Sequence, residues 1–414
     1  MKKSFAKNGV VTVLDIGTSK ISCLMAKRNG KGEPEIISSA VCPSAGFSNG
    51  RVNNIKQLEG AVRNTLATAE DKVSCKIDSV FVNFSSQSIK SNQVGAEVRV
   101  ASVPVTEKDV NKVLEKAFEQ LCREDGTDGM ILHKIPLSYI VDGEGKCDDP
   151  RGVSGDTLGA VLCIVSAKPS SLNDLNQVLS NSLVNVSKVV VSPYASGLAT
   201  VSPDEKNLGC TVIDFGAGSI GLAYFEQGKL EYTACIPVGS AIITYDIAKV
   251  LSCPIGFAEE LKIREGSAFC SPFRNQEMIP IRLTGNEEDL VSRQKLTEII
   301  NDRLTELFRL VRYKLNQDGF YDTQSRRIVL TGGGAELRGI RETAEEVFEG
   351  KQIRIAAPQL NGLPENMYSP AFSTVAGLLK YVANADEYIS NNTSDKQKNT
   401  KLFWRIGQWF LQSF

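Results

Sequence analysis

Apolar residues recur along this chain at two spacings, and the alternation between them lays out its elements. Residues 10–14 form an unbroken apolar run ahead of the turn Asp15-Ile16-Gly17-Thr18-Ser19-Lys20, and apolar character resumes over 21–27. That pattern predicts two buried strands around a tight turn, with a third strand over 33–43. Ile55, Leu58, Val62, Leu66 and Ala69 then repeat every three or four residues, predicting a helix over 54–72, and 77–86 returns to strand. A second block, about 85–165, holds alternating strands and a helix opened by Thr106-Glu107-Lys108-Asp109, a capping-box sequence. From about 170 the pattern begins again: a helix at 170–183, a strand passing into a helix at 188–201, and three strands over 208–239. A long helix follows at 292–317, with Leu296, Ile299, Ile300, Leu304, Leu307, Phe308, Val311 and Leu315 on its apolar stripe. A strand and glycine turn at 326–339 and a helix at 369–382 close the pattern.

The most informative feature is an internal repeat. TVLDIGTSKISCLMA at 12–26 and TVIDFGAGSIGLAYF at 211–225 align without a gap. Both read as buried strand, Asp, apolar residue, Gly, small polar turn and strand. A hairpin duplicated some 200 residues apart implies two similar α/β halves facing one another, with a ligand cleft between them. The 414-residue length accommodates two to four domains.

Composition removes several function classes. Lys plus Arg is 47 against 48 for Asp plus Glu, so no global field exists to hold nucleic acid. Ten cysteines occur without a CxxC pair, and Cys23, Cys163 and Cys210 lie in apolar runs; this suggests buried thiols in a reducing compartment. His133, the only histidine, falls in a strand-like segment, which makes zinc sites of the usual kinds and a Ser-His-Asp triad improbable. No segment reaches the ~20 apolar residues that span a bilayer, and the first apolar run is too short for a signal-peptide core, so a cytoplasmic protein is expected.

Each repeated hairpin sets a carboxylate at a strand end, followed by a glycine-bearing turn with small hydroxyl residues. Backbone N–H groups there approach an anion closely, and two such turns facing inward grip a polyphosphate from both sides. Asp15 and Asp214 would hold a hydrated Mg²⁺ beside the phosphates, with Lys20 as a point charge in reach. A third glycine turn, Gly332-Gly333-Gly334, follows a strand and would pass close to a base or ribose. A hairpin with a tight turn is the plain structural alternative for either copy taken alone.

After Tyr381 the hydrophobic pattern stops, and 384–400 reads as a disordered polar linker. The final fourteen residues hold both tryptophans. At 100° per residue Leu402, Phe403, Ile406, Trp409, Phe410 and Phe414 share one face, flanked by Trp404, while Lys401, Arg405, Gln408 and Gln412 oppose them. Such a helix, about 21 Å long, is too short to span a membrane and is suited to lie in its interface. Docking back on the globule is the alternative.

Taken with the linking segment SPYASGLATV and the closing segment SPAFSTVAGLLKYV, the three glycine turns resemble the five motifs of the actin, Hsp70 and sugar-kinase ATPase superfamily. Within it the chain resembles the FtsA family of bacterial division proteins, through GRVNN at 50–54, DPRGVSG at 149–155, IPVGS at 236–240 and EELKIREGSA at 259–268. The resemblance implies an actin-like, ribonuclease H-like, two-lobed α/β fold with an inserted α+β subdomain and a C-terminal amphipathic helix. It places subdomain 1A at 1–84, 166–200 and 363–383, the insertion 1C at 85–165, 2A at 201–235 and 325–362, and 2B at 236–324. It implies ATP with Mg²⁺: phosphate contacts on Gly17, Thr18, Ser19, Lys20, Gly216, Gly218 and Ser219, magnesium-side carboxylates on Asp15 and Asp214, and ribose and adenine contacts on Glu259, Lys262 and Gly332–Gly334. Read without the resemblance, Glu259 and Lys262 are one exposed face of a charged helix.

The resemblance further implies self-association into filaments, attachment of FtsZ filaments to the cytoplasmic face of the inner membrane, and later division partners recruited through the inserted subdomain. It implies that the region of the long helix receives the FtsZ C-terminal tail, with Arg303 as the candidate contact; a solvated charged face is the alternative for that arginine. Two departures stand out: Gly221 replaces the second aspartate of the family's second hairpin, which bears on hydrolysis more than on binding, and Cys163 replaces a histidine. A sugar kinase of the same superfamily and a pilus-assembly relative are the rival readings.

Overall fold

The computed structural model describes residues 9–29, 33–101, 103–125, 129–269, 276–285, 288–323 and 325–391. The amphipathic segment, Leu402, Phe403, Trp404, Ile406, Trp409, Phe410 and Phe414 included, lies outside the described residues.

The first lobe begins with β1 (Val10–Ile16), β2 (Lys20–Arg28) and β3 (Pro34–Pro43), joined in antiparallel order. Two short strands, β4 (Phe47–Ser48) and β5 (Arg51–Val52), lead into α1 (Ile55–Asp71) and β6 (Ser79–Phe84). Asn54 starts α1 as its N-cap, its side chain accepting from Gln57 N, and the expected stripe of Leu58, Val62, Leu66 and Ala69 is buried against the sheet. An inserted unit follows: β7 (Lys90–Arg99), α2 (Glu107–Asp125), β8 (Met130–Val141), β9 (Glu144–Cys147) and β10 (Thr157–Ala167). The chain then returns to the first lobe through α3 (Pro169–Asn181) and β11 (Asn185–Val191), and crosses to the second through α4 (Ser192–Thr200) and α5 (Pro203–Leu208).

The second lobe repeats the first. It has β12 (Cys210–Phe215), β13 (Ile220–Glu226) and β14 (Lys229–Ile236), then α6 (Ala241–Val250), α7 (Ile255–Arg264), the hairpin β15 (Met278–Arg282) and β16 (Glu288–Ser292), and α8 (Arg293–Gln317). The strands β17 (Arg327–Thr331) and β18 (Gln352–Ile355) flank α9 (Ile340–Val347), and α10 (Ser373–Asn391) ends the described chain in the first lobe. The two five-stranded sheets run β3-β2-β1-β6-β11 and β14-β13-β12-β17-β18. In each, the three meander strands are antiparallel, the fourth strand pairs in parallel with the first, and the fifth pairs in parallel with the fourth. The repeated sequence is thus the repeated centre of two equivalent sheets.

The helices α4 and α10 cross on the sheet face opposite α1 and α3, burying Ala195, Ala199, Val375 and Leu379 against Val11, Val13 and Leu24. They approach so closely that a Cβ on Gly377 would lie 1.7 Å from the Ala195 carbonyl oxygen. The inserted sheet, β7-β10-β8-β9, buries one face under Val113, Ala117 and Leu121 of α2. Its capping sequence works through the acid. Asp109 Oδ2 accepts from Thr106 N at 3.0 Å and Oδ1 accepts from Ala101 N at 3.0 Å, while the Thr106 hydroxyl turns onto the same carboxylate. These three bonds hold that carboxyl below its usual range.

Cys23, Cys163 and Cys210 are fully buried. His133 lies buried in β8, its Nε2 accepting from Val191 N at 3.2 Å and its ring edge-on to Tyr194 and Tyr381; burial drives its pKa down to about 3. One expectation changes: α10 continues through the first part of the span read as a linker. Residues 378–391 contain neither glycine nor proline, and Ala383, Ala385 and Glu387 favour continuing the helix once it is nucleated by the packed part.

Candidate functional site

The two hairpin turns have the same construction. Gly17 N donates to Lys20 O at 3.0 Å in the first, and Gly216 N donates to Ser219 O at 3.0 Å in the second. A Cβ at either glycine would sit 2.9 Å from that same carbonyl oxygen, which explains why glycine follows the aspartate by two in both copies. The turns meet across the cleft. A Cβ on Gly218 would fall 2.3 Å from Thr18 Oγ1 and 2.8 Å from Asn49 N. The segment after β14 seats the second turn, with Ser240 N on Gly216 O and Ala241 N on Ala217 O, both at 2.9 Å.

Asp15 and Asp214 sit at equivalent ends of β1 and β12, opposite Ser22 and Gly221 on the neighbouring strands. Both are desolvated, which disfavours the charged form. Burial raises Asp15 to a pKa of about 7; Lys20 and a hydrogen bond from Asn83 oppose the rise, and Asp214 adds to it. Asp214 is raised for the same first cause, against hydrogen bonds from Ser196 of α4 and Thr374 of α10, the latter 3.2 Å from Oδ2. Lys20 interacts with both carboxylates and with Glu336, and its ammonium lies 4.4 Å above the Phe372 ring; burial lowers its pKa.

The other candidates divide. Gly332, at φ +85°, begins a short 3₁₀ turn over Gly333–Glu336. A Cβ on Gly332 would meet Asp214 Oδ1 at 2.5 Å, and one on Gly334 would meet the Phe215 ring at 2.4 Å. Those two glycines therefore let β17 pack against the second hairpin. Gly333 has only Ala371 near it, at 3.5 Å, and is the member of the triplet with room beside it. Glu259 and Lys262 are joined within α7, Lys262 Nζ lying 2.8 Å from both Glu259 Oε2 and Thr244 Oγ1. The Lys262 side chain is 11% exposed and that of Glu259 46%, so the lysine is held against α6 while the glutamate stays partly solvated. Ser19 O accepts from Ser44 N at 3.1 Å, and Ser219 is hydrogen-bonded to the Cys235 thiol.

Arg303 lies away from this cleft, on α8, where it is ion-paired with Asp246 of α6 and with Glu306. It borders a groove of about 400 Å³ whose apolar walls are Val238, Ile242, Leu307, Leu310 and Tyr313, with Arg309 at the rim. Arg293 and Arg312 of the same helix are engaged internally, by Glu265 and Glu277 and by the Val347 carbonyl.

Comparison with known proteins settles the family. A model for the inserted SHS2 domain of FtsA matches residues 86–166, and a model for cell division protein FtsA matches residues 211–377. Over 430 residues the chain is 33% identical to cell division protein FtsA of Agrobacterium fabrum, covering 99% of this chain and 96% of that protein. The chain belongs to the FtsA family of cell division proteins. It is also 31% identical to the FtsA of Escherichia coli, with 98% of each covered. Solved structures extend the fold beyond the FtsA family. A PilM–PilN type IV pilus biogenesis complex aligns with a TM-score of 0.61 at 16% identity, covering 90% of this chain and 98% of that one. MreB5 of Spiroplasma citri bound to ADP aligns with a TM-score of 0.53 at 13% identity, covering 94% of this chain and all of that one. The chain therefore has the actin-like fold, a fold in which a neighbour carries nucleotide.

Sequence reasoning missed the groups that hold the carboxylates. Ser196 and Thr374 sit inside the linking and closing segments, and small hydroxyls on otherwise apolar helical faces were the available signal. Asn83 carries another bond, its Oδ1 accepting from Ile16 N at 2.7 Å beside Asp15.

The residues fit a polyphosphate with a divalent cation. Two desolvated carboxylates and a desolvated lysine converge at glycine turns, and a dication beside Asp15 and Asp214 would offset their burial. Among the described residues no cluster of three His, Cys, Asp or Glu side chains could cage an ion directly. Mg²⁺ would thus be held mainly by water and phosphate oxygens.

Proposed function

We propose that the protein is an ATP-binding division scaffold that self-assembles, holds the FtsZ C-terminal tail and attaches to the cytoplasmic face of the inner membrane through its last fourteen residues. The carrying observation is the matched pair of buried carboxylates on two hairpins whose turns touch, in a chain of the FtsA family. Gly17, Thr18, Ser19, Lys20, Gly216, Gly218 and Ser219 would cradle the phosphates, Asp15 and Asp214 would orient the hydrated Mg²⁺, and Glu259, Lys262 and Gly333 would line the adenosine side. Bound Mg²⁺ would supply charge to the phosphates; the lobes contribute position and exclusion of water.

Nucleotide acts mainly as a conformational ligand in this reading. The Gly221 position is already filled by Pro193, whose Cβ lies 3.0 Å from where a side chain would begin, and no second carboxylate faces Asp214 across the hairpin. The groove beside Arg303 suits an acidic, partly apolar tail: Leu310 and Tyr313 offer apolar contact, and Arg303 and Arg309 offer charge. No described single helix is long and apolar enough to cross a membrane, so attachment rests on the terminal segment lying in the interface.

Liposome co-sedimentation tests the reading, comparing the full chain with a truncation after Thr400, with and without ATP–Mg²⁺ and an FtsZ tail peptide. The full chain is expected to pellet and carry the peptide, and the truncation to stay in solution. If both stay in solution, the tether is wrong; if the peptide stays behind while the protein pellets, the groove assignment is wrong.

A further inference from the structure

We propose that a cavity at the junction of the first lobe and the inserted unit is a second ligand site, one that takes a small phosphate-bearing anion. The cavity encloses about 560 Å³, within the range of small-molecule sites. Three cationic side chains from three separate segments line it: Arg51 of β5, Lys90 at the start of β7, and Lys168 just before α3. None of the three has an ion-pair partner among the described residues, whereas Arg63 and Lys76 of the same lobe are paired with Glu59 and Glu70. Against them stands one lining carboxylate, Asp174.

The wall between the cations is built of hydroxyls. Buried Ser86 lies 2.9 Å from the Ser88 hydroxyl and accepts from Ser88 N at 3.2 Å, so both hydroxyls are held at the cavity surface. Ser170 and Ser171 add two more in the first turn of α3, whose N-cap, Lys168, makes no side-chain cap. Cations, hydroxyl donors and sparse acid are the donor set that phosphoryl oxygens require. The site is separate from the nucleotide cleft but shares a wall with it: Ile16 lines the cavity and directly follows Asp15, and Gly50 lines it beside Asn49, which touches Gly218.

The test is titration calorimetry of the full chain with inorganic pyrophosphate, carried out on protein presaturated with AMPPNP–Mg²⁺ and repeated on Asp15→Asn without nucleotide. The second arm keeps the result independent of the nucleotide reading. One equivalent of pyrophosphate is expected to bind in the presaturated arm, and the same equivalent in the second arm beside any taken up by the nucleotide turns. Lys90→Glu and Lys168→Glu, both at exposed positions, should each weaken it at least tenfold with thermal melting unchanged, and Asp174→Asn should strengthen it several-fold. Phosphatidylglycerol vesicles that displace the pyrophosphate would assign the site to a lipid headgroup, and vesicles that leave it in place would assign it to a soluble phosphate. Absence of binding at millimolar pyrophosphate, binding that survives both charge reversals, or binding of polyglutamate but not pyrophosphate overturns the proposal.

Discussion

The two hairpins share their turn hydrogen bond, their glycine and their carboxylate, yet the two carboxylates are held by different means. Asp15 is raised by burial and by Asp214 across the cleft, and the groups that oppose the rise, Lys20 and Asn83, belong to its own lobe. Asp214 is fastened by Ser196 and Thr374, which belong to the two helices that join the lobes. A duplicated element has thus been given one carboxylate that responds to its local charge and another that is tied to the lobe crossing.

The largest effect should follow from separating the crossing helices. Gly377→Val is expected to cost more than about 3 kcal/mol or to abolish folding, since its side chain would collide with the Ala195 backbone. Gly17→Ala, where a Cβ meets one carbonyl at 2.9 Å, should cost about 1–2 kcal/mol by urea unfolding. Equal losses would show that the helix crossing is no less tolerant than the hairpin turn.

Next come the carboxylates themselves. Asp15→Asn should leave the nucleotide-free protein as stable as before or more so, because a desolvated charge is removed, while weakening ATP–Mg²⁺ binding about tenfold or more. Asp214→Ala should weaken binding and also destabilise the free protein by about 1–3 kcal/mol, because Ser196 and Thr374 lose their acceptor. Parallel melting and nucleotide titration separate the two outcomes.

The pH dependence sharpens the contrast. His133 has a folded pKa of about 3 against about 6.5 unfolded, so the unfolded chain binds the extra proton between those values. Stability should therefore be lost as pH falls below about 6.5, by about 2 kcal/mol at pH 5, and His133→Gln should flatten that limb of the profile. Asp15 works in the opposite sense. Its folded pKa near 7 makes protonation favour the folded form, a contribution present at low pH and lost as pH rises toward and through 7. In EDTA-treated protein, Asp15→Asn should steepen the acid loss rather than relieve it.

The smallest effect is expected at Gly221. Gly221→Ala needs Pro193 to yield by only a few tenths of an ångström and should cost less than about 1 kcal/mol.

The sheet centres were legible because each strand is a nearly continuous apolar run broken by Asp and Gly, and because the two copies align without a gap. Burial of Cys23, Cys163 and Cys210 followed from the same runs, as did the strand position of His133. What sequence could not supply was pairing across distance. That Lys262 is buried against Thr244, or that Arg303 is spent on Asp246, depends on how α6, α7 and α8 stack, and helical periodicity is silent about partners. The sequence also could not show that Gly332 and Gly334 have no room for a side chain against Asp214 and Phe215, because β17 lies tight beside β12.

The inserted unit is covalently part of the first lobe, but it is also stitched to the edge of the second. Ser91 of β7 both donates to Thr233 O at 3.0 Å and accepts from Thr233 N at 3.1 Å, and Lys229 of β14 reaches the Leu137 carbonyl at 2.9 Å and Asp148 at 2.6 Å. One hydroxyl here does the work of a missing strand neighbour, so the unit, which also meets the crossing helices through His133, braces the two lobes a second time at the edge of the second sheet. Hinge and brace together make a closed mechanical loop: the lobes cannot rock without shearing the Ser91 stitch or dragging the inserted unit along. Whatever grips that unit from outside therefore sets how freely the lobes can move.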